Sequence, residues 1–200
     1  MNKNRIEAFS DGVFAIVITI MVFEIKIPHV PISELNEALW VILPKILAFV
    51  LSFIIIGVYW VAHHNMLHFI SKVDRTSLWL NILVLFTICI IPFPTALIGD
   101  YPDAATPAIL YGATLAAVNL SGTLFWNYSV KKNLMQENLN PVFARNVTYL
   151  HMSPLIIYLI AAVFAFVNVQ ITYSIYILVP LFFILPNPLL SMLFRNPFSK

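Results

Sequence analysis

The sequence is poor in charge. Only 10% of its 200 residues are Asp, Glu, Lys or Arg, against 60% apolar residues, and the mean hydropathy is +0.89. An ordinary soluble globular domain is excluded, and an integral membrane protein is indicated. Cysteine is nearly absent: Cys89 stands alone, so no intrachain disulfide can form and thiol redox chemistry lacks a second sulfur. Helical H-E-x-x-H, G-x-S-x-G and P-loop patterns do not occur, which leaves the common hydrolase and nucleotide-binding readings without support. The net charge of +2 comes with no aromatic-basic module, so nucleic-acid binding is set aside. A soluble domain is lacking too. The longest polar stretch, Lys131 to Asn146, reads as a short connection, so function has to reside among the apolar segments.

Those segments are long enough to span a bilayer. Runs of about 20 apolar residues fall near 7–27, 40–64, 77–98, 107–129, 148–168 and 171–186, which predicts one domain over 1–200, an all-α bundle of six transmembrane helices. The fourth is interrupted by Asn119, Ser121, Gly122 and Asn127, and the last is short and broken by Pro180. Lys3, Arg5, Lys72, Arg75, Lys131, Lys132, Arg145, Arg195 and Lys200 fall on one side, and only Lys26 and Lys45 on the other. Cytoplasmic N- and C-termini follow from the positive-inside rule. Glu34, Glu37, Asp100 and Asp103 fall in the outer loops, where they either concentrate cations or are simply solvated. The opening segment does not read as a cleaved leader, because Glu7 and Asp11 spoil its basic region and no small-x-small site follows Phe23. The N-x-S/T triplets at Asn119, Asn127 and Asn146 lie in spans or in a cytoplasmic connection, so they are not glycosylation sites.

The first span carries a carboxylate at each end. The twelve residues between Asp11 and Glu24 cover about 18 Å as a helix, well short of a hydrocarbon core roughly 30 Å thick. At least one carboxylate therefore sits at membrane depth, where charges turn toward protein or a water-filled path. At 100° per residue Gly12, Ile16, Thr19, Ile20 and Phe23 form one stripe with a single hydroxyl, while Ser10 and Asp11 project away from it. Either the stripe lines a narrow apolar passage, or the helix is an ordinary buried one whose Thr19 bonds to its own backbone.

Depth counting supplies partners for the polar face. Asp11 lies six residues inside Arg5, Asn81 lies six inside Arg75, and His63 and His64 close the second span on the same side. Ser10, Asp11, one of these histidines and Asn81 are thus predicted to satisfy one another. Trp79 is at a depth suited to the interfacial aromatic belt. His64 and His68 share a helix face, but a metal site would need Asp74 or His151 as well, and no metal or other cofactor is expected.

Several of these residues occur in strings. The R-x-x-x-F-S-D of Arg5, Phe9, Ser10 and Asp11 runs into G-V-F-A-I-V-I-T, and Y-W-x-x-H-H comprises Tyr59, Trp60, His63 and His64. D-x-x-x-x-W-x-N comprises Asp74, Trp79 and Asn81, and P-F-P spans Pro92 to Pro94. In this order the strings resemble the potassium channels typified by the endolysosomal channel transmembrane protein 175. The resemblance is close over about the first 100 residues, and the later spans agree in number only. It implies a single-repeat, prokaryotic-type subunit that forms a homotetramer, with first helices lining the pore and no T-V-G-Y-G filter. It also implies a hydrophobic constriction at Ile16, Ile20 and Phe23 further out, a selectivity-related hydroxyl at Thr19, and an F-S-D string that packs the pore helix against its own subunit. Prokaryotic members often carry leucine where this chain has Ile20 and Phe23, which leaves the tightest level open.

The function implied is passive, modestly potassium-selective conduction across the plasma membrane, with potassium ions, lipid and further copies of the chain as partners and no enzymatic activity. Two other classes stay open on the residues alone. A proton-coupled secondary transporter would use Asp11, Glu24 and the histidines as a relay, with helices broken at Pro44 and Pro180. A noncatalytic membrane assembly subunit would use polar spans such as the fourth to bind a partner.

Overall fold

The computed structural model describes residues 3–26, 28–186 and 197–198. Its elements are α1 (Lys3–Ile20), α2 (Leu35–Phe69), α3 (Arg75–Ile90), α4 (Pro92–Asp100), α5 (Ala105–Lys131), α6 (Pro141–Phe164) and α7 (Val169–Ile184). Short 3₁₀ turns extend α1 over Met21–Glu24 and precede α2 over Ile32–Glu34. An all-helical chain is what a bilayer demands, since a helix satisfies its backbone groups internally. Among the described residues five stretches are long and apolar enough to cross a membrane: Lys3–Glu24, Ile32–Phe69, Arg75–Asp100, Ala105–Lys131 and Pro141–Phe164. With 16 residues α7 is shorter, about 24 Å along its axis.

Three boundaries depart from the sequence reading. The third span is two helices, because Pro92 has no N–H to continue the ladder and opens α4 as its first residue. Conversely, α7 runs unbroken through Pro180, as α2 does through Pro44 and α6 through Pro154. Proline is tolerated in membrane helices where neighbours compensate for the lost bond. The connection after α5 is also shorter than expected. Pro141–Asn146 already belong to α6, which Asn140 caps by accepting from Val142 N–H at 2.9 Å. Arg195 and Lys200, assigned to the cytoplasmic side, lie outside the described residues.

One end of the bundle is tied together by loop hydrogen bonds. The N–H groups of Ser71 and Lys72 donate to the Leu134 carbonyl at 2.8 and 3.0 Å, and Gln136 N–H donates to Phe69 O at 2.8 Å. Lys3 reaches the His68 carbonyl at the same end. At the opposite end Lys45 pairs with Asp100, and Gly99 lies against the Lys45 backbone, where an added Cβ would come within 3.0 Å of Lys45 Cα. Asp100 is thus neutralised locally, so it does not act as a free acidic charge.

The span with the most polar residues is the central one. In α5 56% of the apolar window is buried, against 28% in α1, and α5 packs on α3, α4, α6 and α7. Its polar groups bond inward: Asn119 Nδ2 donates to the Tyr59 hydroxyl at 2.8 Å, and the Ser121 and Thr87 hydroxyls are 3.1 Å apart. Ser52 lies 2.8 Å from both Thr95 Oγ1 and the Tyr111 hydroxyl, joining α2, α4 and α5. Gly112 admits the Tyr176 hydroxyl, which donates to Ala108 O at 2.8 Å; a methyl group there would collide with it.

The α2–α3 corner is fixed by a reciprocal cap. Ser77 N–H donates to Asp74 Oδ1 at 2.7 Å, Asp74 N–H donates to Ser77 Oγ at 2.9 Å, and the Tyr128 hydroxyl donates to Asp74 Oδ2 at 2.8 Å. The Ser77 N–H, followed by the Tyr128 hydroxyl, holds the Asp74 carboxyl below its ordinary value. A lowered folded-state value stabilises the fold above the unfolded-state value near pH 4, and the contribution fades as pH falls through the folded value. Asp74→Ala should therefore lower the melting temperature in detergent by a few degrees near neutrality, with the gap from wild type narrowing below about pH 4. A gap that stays constant down to pH 3 would show that the carboxylate charge is not what caps α3.

Candidate functional site

Helix α1 divides lengthwise into a packed and an uncovered half. Ile6, Ser10, Phe14, Val17 and Met21 are buried, and the helix packs chiefly on α2 and α3. Gly12, Ile16, Thr19, Ile20 and Phe23 all lie on the uncovered half, with Ile16 61% and Phe23 77% exposed. No heavy atom comes within 4 Å of where a Gly12 Cβ would sit. The switch to 3₁₀ geometry at Met21 alters the outer end of the stripe. Residues three apart eclipse in a 3₁₀ turn, so Phe23 stands above Ile20 instead of following the α-helical drift. Thr19 is exposed and donates its hydroxyl to the carbonyls of Ala15 (2.8 Å) and Ile16 (3.0 Å), so its oxygen keeps its lone pairs as acceptors.

The packed half is held by a three-residue chain. Asn81 Nδ2 donates to Ser10 Oγ at 3.2 Å, and Asn81 Oδ1 accepts from His63 Nε2 at 2.8 Å, so one carboxamide links α1, α2 and α3. All three side chains are buried. The His63 ring also packs on Phe14, with centroids 5.5 Å apart.

Asp11 does not join this chain. It sits on the exposed flank of α1 and accepts from Trp60 Nε1 at 2.8 Å, while the His64 ring lies 5.8 Å from the Trp60 ring. One residue of helical advance turns Asp11 by 100° from Ser10, which separates the two polar neighbours into different environments. Arg5, Phe9, Trp79 and Asn81 line a groove between α1 and α3 together with Arg75. Phe9 and Trp79 are exposed there. Among the described residues no three His, Cys, Asp or Glu side chains gather at metal-binding distance, and Asp74 is engaged in its cap.

Sequence reasoning missed three participants. Trp60 stands in the sequence only as part of a string, although an indole N–H near a carboxylate's depth is a natural donor. The Tyr59–Asn119 pair gave no signal, because the residues are 60 apart and neither shows helical periodicity with the other. His151, a distant metal-ligand candidate in the sequence, is half-buried, with its Nδ1 buried and facing α5.

The arrangement matches known proteins over most of its length. A family described as Endosomal/lysosomal potassium channel TMEM175 matches residues 5–92, which hold most of α1 and all of α2 and α3. A protein named potassium channel from Chryseobacterium sp. (strain P1-3) is 33% identical over 191 residues, covering 94% of this chain and 95% of its own. Another of that name from Streptomyces collinus is 36% identical over 155 residues, 72% of this chain and 74% of its own. The chain belongs to the TMEM175 family.

A solved fold agrees. The crystal structure of a lysosomal potassium-selective channel TMEM175 homolog from Chamaesiphon minutus superposes with a TM-score of 0.79 at 31% identity, covering 90% of this chain and 95% of that one. The TMEM175 fold is therefore present, in a multi-pass membrane protein whose relatives are channels and not enzymes. The family match ends where α4 begins, so it contains the whole Ser10–Asn81–His63 chain and the Asp11–Trp60 pair.

Asn81→Leu removes both bonds at once and leaves Ser10 and His63 buried without partners. A loss of roughly 2–6 kcal/mol follows from two unsatisfied groups at about 1–3 kcal/mol each. Trp60→Phe should cost much less, because its bond to Asp11 is exposed. Comparing the two by thermal denaturation in detergent checks the ranking, and equal losses would show that the buried chain does not anchor α1.

Proposed function

We propose that the chain is a passive cation channel that prefers potassium modestly over sodium. The conduction path runs along the uncovered face of α1 in a homotetramer, with Arg5, Phe9, Ser10, Asp11, His63, His64, Trp79 and Asn81 setting that helix in place. The reading rests on one observation: α1 is packed along one half and carries a continuous apolar stripe with a single hydroxyl on the other. Relatives named potassium channel add to it. Residues 1–200 act as one six-span unit in the plasma membrane, with both termini in the cytoplasm, as the distribution of basic residues suggests.

Four isoleucine side chains at one level exclude water from a narrow pore, and a small helix tilt or rotation rewets it. Ile16 is that level, with Ile20 and the eclipsed Phe23 forming an outer collar. Because Thr19 donates to its own backbone, its oxygen faces outward as an acceptor and replaces part of a potassium ion's hydration shell. One ring of hydroxyls is a weaker discriminator than stacked carbonyl rings, hence the modest preference. An alternating-access carrier loses its structural motive, since α2 and α7 pass through Pro44 and Pro180 unbroken.

Reconstitution of the purified protein in liposomes tests the function. Potassium gradients should dissipate rapidly and passively; saturable, proton-coupled movement would favour a carrier. Thr19→Ala should lower the potassium-to-sodium permeability ratio several-fold in bilayer recordings while conduction persists, and an unchanged ratio would remove Thr19 from selectivity. Ile16→Asn should raise current at least severalfold by wetting the constriction. Unaltered flux in that variant would move the gate to Ile20 or Phe23.

A further inference from the structure

At the end of the bundle where α1 and α3 begin, an open groove runs between the two helices. Each helix brings the same pattern to it. Arg5 is followed four residues later by Phe9, and Arg75 four residues later by Trp79, with Ile82 about one turn further in. A spacing of four keeps arginine and aromatic ring on one helix face, about 6 Å apart in depth. One headgroup layer has that thickness, since a bilayer of about 40–45 Å surrounds a core of about 30 Å. With both guanidinium groups level with lipid phosphate, the rings therefore stand at the edge of the hydrocarbon and Ile82 inside it.

The positive charge of this groove is left uncompensated by nearby carboxylates. Glu7 pairs with Lys3 at 3.5 Å, Asp11 accepts from Trp60, and Asp74 is taken up by Ser77 and Tyr128. Glu137, from the connection after α5, lines a separate groove with Lys72. Among the described residues neither guanidinium has a hydrogen bond or ion pair, and the exposed Trp79 indole N–H has no acceptor. Arginine presents five donors in a planar fork that suits phosphate, so two of them on one groove call for an anion with several oxygens. The walls below decide which anion. A free phosphate ion would leave Phe9, Trp79 and Ile82 exposed, and a second copy of the chain closing the groove would bury both arginines without a counter-charge, which is costly. A lipid with an anionic head and acyl chains meets both levels, and basic pockets between membrane helices are suited to such headgroups.

We propose that the α1–α3 groove binds one anionic phospholipid, its phosphate held between Arg5 and Arg75, an ester carbonyl accepting from Trp79 Nε1, and an acyl chain lying over Phe9 and Ile82. The lipid ties α1 to α3 on the bilayer side, as Asn81 ties them inside through Ser10. Arg5 and Phe9 of the R-x-x-x-F-S-D string thereby act outside the bundle and Ser10 within it. The site requires only that the chain be embedded in a bilayer, and it stands whether or not the chain conducts ions.

The purified full chain, reconstituted in vesicles of equal phosphatidylcholine and phosphatidylglycerol and re-extracted in mild detergent, tests the site by native mass spectrometry. One phosphatidylglycerol per subunit should be retained by wild type, with about a tenfold preference over phosphatidylcholine. Arg5→Gln/Arg75→Gln should reduce the preference to within about twofold. Lys131→Gln/Lys132→Gln, which removes as much charge from the same end but outside the groove, should keep it. If the double arginine variant does not fold, Arg75→Gln alone should still lower the preference severalfold. Brominated acyl chains give the location: brominated phosphatidylglycerol should quench tryptophan emission more than brominated phosphatidylcholine in wild type, and Trp79→Phe should lose that difference. Equal retention of the two lipids, a preference unchanged in the arginine variant, or one lost equally in the lysine variant leaves only the general attraction of a basic membrane face and overturns the site. Retention of neither lipid by an intact oligomer means that another copy of the chain closes the groove, and it overturns the site as well.

Discussion

The rotational setting of α1 depends on one carboxamide. Asn81 holds Ser10 on one side and His63 on the other, so a rotation of α1 by one residue, about 100°, would break the first bond and bury a hydroxyl unpaired. Apolar packing alone could not fix this angle. Val13, Phe14, Val17, Ile18, Met21 and Val22 are interchangeable as greasy surface, and lipid is as apolar as they are. Directional hydrogen bonds supply what the hydrophobic effect lacks inside a bilayer. Once Ser10 points at Asn81, Phe14, Val17 and Met21 must face inward, and Gly12, Ile16 and Thr19 must face outward.

A similar economy of polar groups governs the rest of the bundle. Helix α5 is the most polar of the long spans and also the most buried, which would be contradictory in water and is natural in lipid. Asn119, Ser121 and Thr123 are satisfied by Tyr59, Thr87 and nearby backbone carbonyls, so their burial costs little while fixing which neighbours α5 accepts. The Ser52–Thr95–Tyr111 cluster does the same for α4, a helix of nine residues too short to hold its place by propensity. Helices α1, α2 and α6 are correspondingly the least buried of the long spans, and many of their apolar residues remain exposed.

The all-helical class, the apolar character of each span and the depth of the polar residues were legible in the sequence because lipid imposes a length and a cost that can be counted. Counting from Arg5 and Arg75 puts Ser10 and Asn81 at one level, and the structure joins them. Direction within a level was harder to read. Asp11 is adjacent to Ser10 and at nearly the same depth, yet it bonds Trp60 on the exposed flank, because partner choice depends on helix angle as well as depth. Proline misled in both directions: Pro92 starts a new helix, whereas Pro44, Pro154 and Pro180 lie within continuous ones. The outcome turns on whether neighbouring groups can take up the freed carbonyl, which is a tertiary property absent from any local window. The boundary of the fifth span slipped for a related reason, since Asn140 and Pro141 start α6 before the apolar run begins.

The uncovered stripe gains its meaning from this division of labour. An exposed isoleucine on a lipid-facing helix requires no explanation, and α6 alone offers Ile156, Ile157 and Ile160. Helix α1 carries Ile16 and Thr19 about one and a half to two and a half turns from the buried Ser10 anchor, with Thr19 the single hydroxyl of its exposed stripe. A lipid-facing helix can tolerate slow rotation and drift, and it would not need so specific a clamp at Ser10. A helix whose outward residues must meet identical residues of other copies at one level cannot tolerate either. In the proposed pore, the shift to 3₁₀ geometry at Met21 would serve the same requirement at the far end by bringing Phe23 toward the line of Ile20. Anchor, stripe and collar are thus three consequences of holding one helix at one angle, which is the condition a pore built from repeated copies of that helix would impose.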